Sequence, residues 1–538
     1  MNKCEIKEKL LKKLEEIAKK LDIKRKPVLI DSKGHGDLTT NIAMGNSQNP
    51  MELAQKIVDE MEPIKEDLFI KELEIAAPGF INFFINQESM VDLLNNVLKK
   101  GSDFGKGNKQ GNINIEYVSA NPTGYLHVGH ARNAAIASTV ANIVEFAGMN
   151  VTREYYINDA GSQINILAES LFARYQQFFD KSYPMPEECY RGTDIVWAAK
   201  QMRKRHGDVF KNKKLTGKVL QTFKDEGVEL FLQEIKKDCK KFGATFDIFF
   251  SERTLYKDDN VVLKDTIKKL GNAFEKDGAT WLRTTVHGDD KDRVLIKSNG
   301  APTYFMPDIA YHNIKFTRTN GIVMNVWGAD HSGYIKRMEC AMQDLGWNKD
   351  NLVVLTMQLV RLIKNGEEFK MSKRKGTSFF LRDFAKLVGV DSARFILLDR
   401  TYNSKLDFDI DIATSKSNDN PVILVQYANA RAYSLLAKTK QIKNKNLKAT
   451  ELTENDQKLI LSILEFPEII MKSADKYVTN LLTQYLIKLA KEFNSWYSNS
   501  PKIIGSENEQ SMLAIAKAVN IVLENGLKLL GCSIKHKM

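Results

Sequence analysis

The chain has 538 residues, 43% of them hydrophobic, 27% charged and 9% aromatic, too apolar for a disordered polymer and long enough for three or four domains. Lys plus Arg outnumber Asp plus Glu by 79 to 67, and the net charge of +12 favours a polyanionic partner. Five scattered cysteines without a C-x-x-C pair argue against a disulfide framework and against a thiolate zinc site.

The amino-terminal stretch reads as a charged amphipathic helix with Leu10, Leu14 and Ile17 on one face, not as an apolar signal core. No apolar run approaches bilayer-spanning length, so a soluble protein of the reducing cytoplasm, with no membrane contact, is expected. A Gly- and Asp-rich loop around Asp31 to Asp37, an alternating strand from Phe80 to Ile85 and a Gly-rich linker from Gly101 to Gly111 complete a small α+β unit over 1–108.

Alternation of Ile113, Ile115 and Tyr117 predicts a strand over Asn112 to Ser119. A turn at Asn121-Pro122-Thr123-Gly124 follows, and then a helix through Ile136, Val140, Ile143, Val144 and Ala147 that Gly148 ends. Val151 to Ile157 is a second strand, so the segment is a βαβ unit whose ligand belongs at the carboxyl end of the first strand. That places the functional loop at Ser119 to His130. Further on, an apolar strand, Gly321 to Trp327, runs into Gly328-Ala329-Asp330-His331, and a strand-like stretch spans Leu352 to Leu362. From about 414 onward the strand signals vanish, and buried faces such as Leu459, Ile463, Leu482, Tyr485 and Leu489 predict a helical bundle. The positive excess sits in two places: 13 basic against 6 acidic residues from Lys200 to Lys241, and 17 against 11 from Ser415 to Met538. Both stretches could follow a phosphate backbone, or be solvated helix faces.

Two loops carry chemistry. His127-Val128-Gly129-His130 sits where the βα loop enters the helix. A helix amino terminus offers free N–H groups and partial positive charge, Gly129 lets a phosphate or ribose approach the backbone, and two imidazoles can donate to phosphate oxygens. Lys370-Met371-Ser372-Lys373-Arg374-Lys375-Gly376 is a cationic polar loop suited to negative charge developing on a pyrophosphate leaving group.

The pair resembles the H-I-G-H and K-M-S-K-S signatures of class I aminoacyl-tRNA synthetases, with Val128 and Arg374 as departures. The flanking Glu116-Tyr117-Val118-Ser119-Ala120-Asn121-Pro122-Thr123-Gly124, Tyr155-Tyr156-Ile157-Asn158-Asp159-Ala160-Gly161 and Asp308-Ile309-Ala310-Tyr311-His312 look most like the arginyl-tRNA synthetase family. The resemblance implies a Rossmann-type α/β catalytic domain over 109–413 with insertions at about 180–290, an amino-terminal tRNA-contacting domain over 1–108 and an all-helical anticodon-binding domain over 414–538. It implies ATP-dependent activation of L-arginine and transfer of the arginyl group to tRNA(Arg). The implied roles are His127 and His130 on phosphate oxygens, Lys370 and Lys373 on pyrophosphate, and Gly129, Asp330, Met371 and Ser372 around ATP. Glu116 and Asn121 are expected near the backbone of arginine, and Tyr304 and Asp308 around its guanidinium. Mg²⁺ is expected to arrive with ATP, with no metal held by the protein itself, and the chain is expected to act as a monomer. A synthetase for another amino acid, a metabolic nucleotidyltransferase sharing the H-x-G-H loop, and a catalytically dead RNA-binding relative are the rival readings.

Overall fold

The computed structural model describes residues 3–31, 36–44, 49–369, 379–439 and 452–538. The chain opens with α1 (Lys3–Lys20), whose Ile6, Leu10, Leu14 and Ile17 are buried. Strands β1 (Ile30–Asp31) and β2 (Leu38–Thr40), helix α2 (Pro50–Met61), strands β3 (Ile70–Ala76) and β4 (Phe80–Ile85) and helix α3 (Gln87–Lys100) follow. The four strands form an antiparallel sheet in the order β1-β2-β4-β3.

The second region runs β5 (Asn112–Glu116), α4 (Gly129–Phe146), β6 (Asn150–Ile157), α5 (Ser162–Gln176), α6 (Thr193–His206), α7 (Gly217–Lys241) and β7 (Ile248–Ser251). Then come α8 (Lys257–Lys269), an antiparallel trio β8 (Ala273–Lys276), β9 (Ala279–Leu282) and β10 (Arg293–Ile296), and α9 (Phe305–Thr319), β11 (Ile322–Gly328), α10 (Ser332–Asp344) and β12 (Leu352–Met357). Strands β5, β6, β7, β11 and β12 make one parallel sheet in the order β12-β11-β5-β6-β7. The chain leaves β5 in one direction and returns to its other side as β11, so the switch point of the sheet lies between these two strands. In an open parallel sheet that crevice, at the strands' carboxyl ends, is where ligands bind. Strand β5 stops at Glu116, three residues short of the predicted end. Val118 and Ser119 take positive φ values of 64° and 39°, and Asn133 of α4 accepts from the Val118 N–H at 2.8 Å. A β-branched residue held there stores strain at the entrance to the functional loop. The stretch expected as one strand from Leu352 to Leu362 is two, β12 and then β13 (Val360–Lys364).

Helices α5, α6 and α7 bury a core of their own around Leu167, Leu171, Met202, Phe223 and Phe231. After β13 come β14 (Glu367–Glu368), α11 (Leu381–Val388), α12 (Val390–Leu398), β15 (Leu406–Asp409) and α13 (Ile410–Thr414), and β15 pairs parallel with β13. The remainder is helical: α14 (Pro421–Leu436), α15 (Glu454–Leu464), α16 (Phe466–Lys476), α17 (Asn480–Asn499) and α18 (Glu509–Leu530). Its core is continuous with those of the first two regions. Among the described residues no helix is long and apolar enough to cross a membrane.

Candidate active site

Helix α4 begins at Gly129, and a Cβ there would lie 2.9 Å from the His127 ring, so only glycine lets that imidazole fold back over the helix start. The His127 N–H points at Nδ1 of His130 at 3.3 Å, and the two ring centroids are 3.9 Å apart. An acceptor at Nδ1 leaves the proton of neutral His130 on Nε2. Burial pushes His130 down to about 4 and lowers His127 as well, so at neutral pH both rings are uncharged hydrogen-bond donors. His127 keeps part of its surface in water at the mouth of the loop although its surroundings desolvate the ring, and His130 is half-buried.

Beside this loop, Glu116, Tyr156, Asp308, Tyr311, His312, Trp327, His331 and Tyr334 enclose a cavity of about 160 Å³. Glu116 ends β5 and Asp308 lies in the first turn of α9, so two carboxylates from different elements face one space. The hydroxyl of Tyr334 donates to Asp308 Oδ2 at 2.7 Å. Burial, opposed only in part by this bond, raises the Asp308 carboxyl to about 7. Glu116 behaves oppositely. Burial would raise it, but the Lys315 ammonium 2.7 Å from Oε2 and the Ser119 hydroxyl 3.0 Å from Oε1 hold it below the usual range.

Lys315, whose side chain is fully buried, also donates to Asn325 Oδ1. The amide of Asn325 donates to His312 Nε2 at 2.8 Å, and His312 Nδ1 donates to the Asp308 carbonyl at 2.8 Å. One buried chain of bonds therefore joins the backbone of Asp308 to the carboxylate of Glu116. His312 is pushed down to about 3 and stays neutral within it. Sequence reasoning missed Lys315 and Asn325. Asp308, His312 and Lys315 share one helical face at i, i+4 and i+7, and Asn325 is a polar residue inside an apolar strand, so both left a signal.

Tyr304 does not join this pocket. Helix α9 begins one residue later, Phe305 turns inward against Tyr334 with ring centroids 5.8 Å apart, and Tyr304 stays 88% exposed. Asn121 also lies outside the wall, its amide donating to Gln163 Oε1 at 2.5 Å. Nor does the pocket leave Glu116 free for a substrate's ammonium, since Lys315 already neutralises it. Asp330 sits in the 3-10 turn Ala329–His331 that follows β11, at the switch point. Lys370, Met371, Ser372 and Lys373 lie outside the described residues.

A parallel sheet with its switch point beside an H-x-G-H helix start fits a class I aminoacyl-tRNA synthetase, and residues 93–406 match the family described as tRNA synthetases class I (R), catalytic domain. Residues 4–85 match the arginyl tRNA synthetase N terminal domain and 425–538 the DALR anticodon binding domain. The chain is 46% identical to the arginine–tRNA ligase of Metamycoplasma arthritidis, over 99% of both chains, and 48% identical to that of Mycoplasma mobile, over 96% of both. It superposes on the arginyl-tRNA synthetase of Thermus thermophilus with a TM-score of 0.76 over 99% of this chain and all of that one, at 20% identity, a likeness of fold. The chain belongs to the arginyl-tRNA synthetase family.

Proposed function

We propose that the pocket between Glu116 and Asp308 takes the arginine side chain and that the His127–His130 loop takes the phosphates of ATP, in an enzyme that ligates arginine to tRNA. The observation that carries this reading is the pocket itself, with one carboxylate, Glu116, neutralised from within, while the other, Asp308, has no Lys or Arg ion pair among the described residues. An apolar substrate would leave Asp308 buried and unmatched, whereas a guanidinium supplies both charge and planar donors.

In the first step the arginine carboxylate attacks the α-phosphorus of ATP, the bond to the bridging oxygen breaks, and pyrophosphate leaves. No protein nucleophile or base is needed, so catalysis is positioning plus charge stabilisation. Neutral His127 and His130 donate to phosphate oxygens, Gly129 allows close approach, Asp330 at the end of β11 meets the ribose, and Lys370 and Lys373, with Met371 and Ser372 in the same loop, meet the leaving pyrophosphate. Mg²⁺ enters as part of the ATP substrate. In the second step a hydroxyl of the 3′-terminal adenosine of tRNA attacks the arginyl carbonyl and AMP leaves.

We infer three working units divided near 108 and 413, acting as a monomer in the cytoplasm. Lys204, Lys213 and Lys214 around the α6–α7 turn are exposed, and this supports contact with tRNA phosphates there. ATP–pyrophosphate exchange with each amino acid, with and without tRNA, tests the reading. Exchange is expected with arginine, strongest with tRNA(Arg) present, and equal exchange with lysine would overturn it.

A further inference from the structure

The histidine loop and the lysine loop must meet the same nucleotide, one on its phosphates and the other on the departing pyrophosphate. They come from segments far apart in the sequence, so their relative register has to be fixed by something outside both. The chain leaving the lysine loop runs antiparallel to the first histidine. The Val128 N–H donates to the Phe379 carbonyl at 2.8 Å, the Leu381 N–H donates to the Leu126 carbonyl at 2.7 Å, and His127 lies opposite Phe380. Two backbone bonds are a thin seam, and by themselves they set the register of Leu126–Val128 against Phe379–Leu381 only weakly.

The next residue, Arg382, locks that seam from the side. Its guanidinium stacks 3.7 Å from the centroid of the Tyr125 ring, two residues before His127. The same group donates from Nε and Nη2 to Asp238 Oδ2 at 3.0 and 2.8 Å, and from Nη2 to Glu234 Oε2 at 3.0 Å, both acids lying on α7. Tyr125 in turn sets its ring against Phe380 at 5.3 Å, Trp197 of α6 at 5.5 Å and Phe231 of α7 at 6.0 Å, while its N–H donates to Asp194 at the start of α6. The side chains of Asp238 and Glu234 are only 5% and 14% exposed, so the ion pair is well screened from water. A planar cation that stacks on one face and forks to two carboxylates is work for arginine, which lysine cannot repeat.

We propose that Arg382 is a positioning residue for amino-acid activation, fixing the histidine loop and the exit of the lysine loop against the α6–α7 insertion through Tyr125 and the Glu234–Asp238 pair. This rests on the assignment of those two loops to ATP. Its partners are all distinct from the residues enclosing the carboxylate pocket, so Arg382 governs the geometry of the transferring adenylyl group and leaves arginine binding alone.

The experiment is ATP–pyrophosphate exchange by the full chain with tRNA(Arg) present, together with calorimetric binding of arginine, for Arg382→Ala, Arg382→Lys and His127→Ala. For Arg382→Ala, kcat is expected to fall about ten- to hundredfold, as a shift of an ångström or so in reacting groups would produce, with the KM and Kd for arginine within about twofold of the parent. Arg382→Lys is expected to recover only a small part of the loss. Glu234→Gln, at the rim of the pair, is the second variant where Arg382→Ala does not fold, and it is expected to show the same kcat loss in weaker form. An unchanged kcat in a folded Arg382→Ala protein, or a loss shared equally by kcat and arginine affinity, would overturn the proposal. If His127→Ala retains full exchange, the assignment of the loops themselves fails; if it loses exchange while Arg382→Ala does not, only the role of Arg382 fails.

Discussion

Asp308 and Glu116 line the same cavity, yet they answer to pH in opposite directions. Burial raises Asp308 to about 7, so in the empty pocket the folded chain holds a proton that the unfolded chain has lost above its ordinary value of 3.8. Two consequences have definite signs. Between those two values folding stability falls as pH rises, because the unfolded state binds fewer protons. Under the proposed assignment arginine, by contrast, needs the carboxylate, so its binding is expected to improve with rising pH and to release a proton. The KM for arginine is expected to drop about tenfold per pH unit well below 7 and to level off above it. Asp308→Asn should raise KM steeply, by the equivalent of about 2–5 kcal/mol, and flatten this pH profile. Steady-state kinetics from pH 6 to 8 check both, and a KM that is flat with pH in the parent enzyme would remove Asp308 from the guanidinium. Lys315 gives a second residue-scale prediction. Removing one member of a buried pair typically costs about 3–5 kcal/mol, because the other charge is stranded. Lys315→Met should therefore lower denaturant stability by about that much, and adding Glu116→Gln should restore most of it. If the double variant is as unstable as the single, the pair is not coupled through charge.

At the scale of elements, the helical bundle separates aromatic side chains that look alike in sequence. Trp496 on α17 is 5% exposed, and its indole N–H donates to Asp456 at 2.7 Å, where Asp456 also closes a capping box with Thr453 at the start of α15. Tyr427 on α14 is 38% exposed, with the Arg431 guanidinium 4.7 Å over its ring and bonded to its hydroxyl. Trp496→Phe is expected to cost about 1–3 kcal/mol by leaving a buried acceptor unmatched, with tRNA affinity unchanged in the folded fraction. Tyr427→Ala should leave melting unchanged and weaken tRNA binding, since an open ring beside a cation suits a stacked base. Melting curves and fluorescence titration with tRNA separate the two, and a Tyr427→Ala protein with full tRNA affinity would make that ring ordinary surface. Periodicity made the strand from Phe80 to Ile85, the βαβ unit and the bundle legible, because apolar residues recur in each at the spacing of its element. Composition could not rank Trp496 against Tyr427, since both sit on amphipathic helices and only packing decides which face is shut. The early end of β5 was hidden for a related reason: Asn133, fourteen residues beyond Ser119, holds the backbone in its strained turn. Glu116 and Asp308 were readable as acids at the end of a strand and the start of a helix, whereas the pairing of Lys315 with Glu116 becomes visible only when α9 lies against β5.

At the scale of the whole molecule, the carboxyl-terminal helices are woven into the catalytic region and do not hang from it. Arg394 on α12 is fully buried and donates to the Leu530 carbonyl at the end of α18, to the Phe242 carbonyl after α7, and to the hydroxyls of Ser138 and Thr139 on α4. Asn142, also on α4, donates to the Leu529 carbonyl, and Asn525 on α18 donates to the carbonyls of Gly101 and Phe104 in the linker that precedes β5. The ion pair of Lys7 with Glu468 closes the circuit from α1 to α16. Cutting the chain near Thr414 would be the direct way to measure the basic bundle's share of tRNA binding. The structure opposes this, because the cut would strip α18 from a guanidinium that has no route to water and would bare the apolar faces of α3 and α4 together. The loss of one of the four acceptors of that cation, together with the bared apolar surface, costs several kcal/mol, which is a large part of the net stability of a folded domain. The truncated chain is therefore expected to be aggregated, or to melt well below the full chain without a sharp transition, and to lose arginine exchange along with RNA binding. Calorimetry and exchange assays on the two chains decide it. A truncated protein that melts cooperatively near the parent temperature and still activates arginine would show that the bundle is a detachable anchor and that the Arg394 junction carries little of the fold.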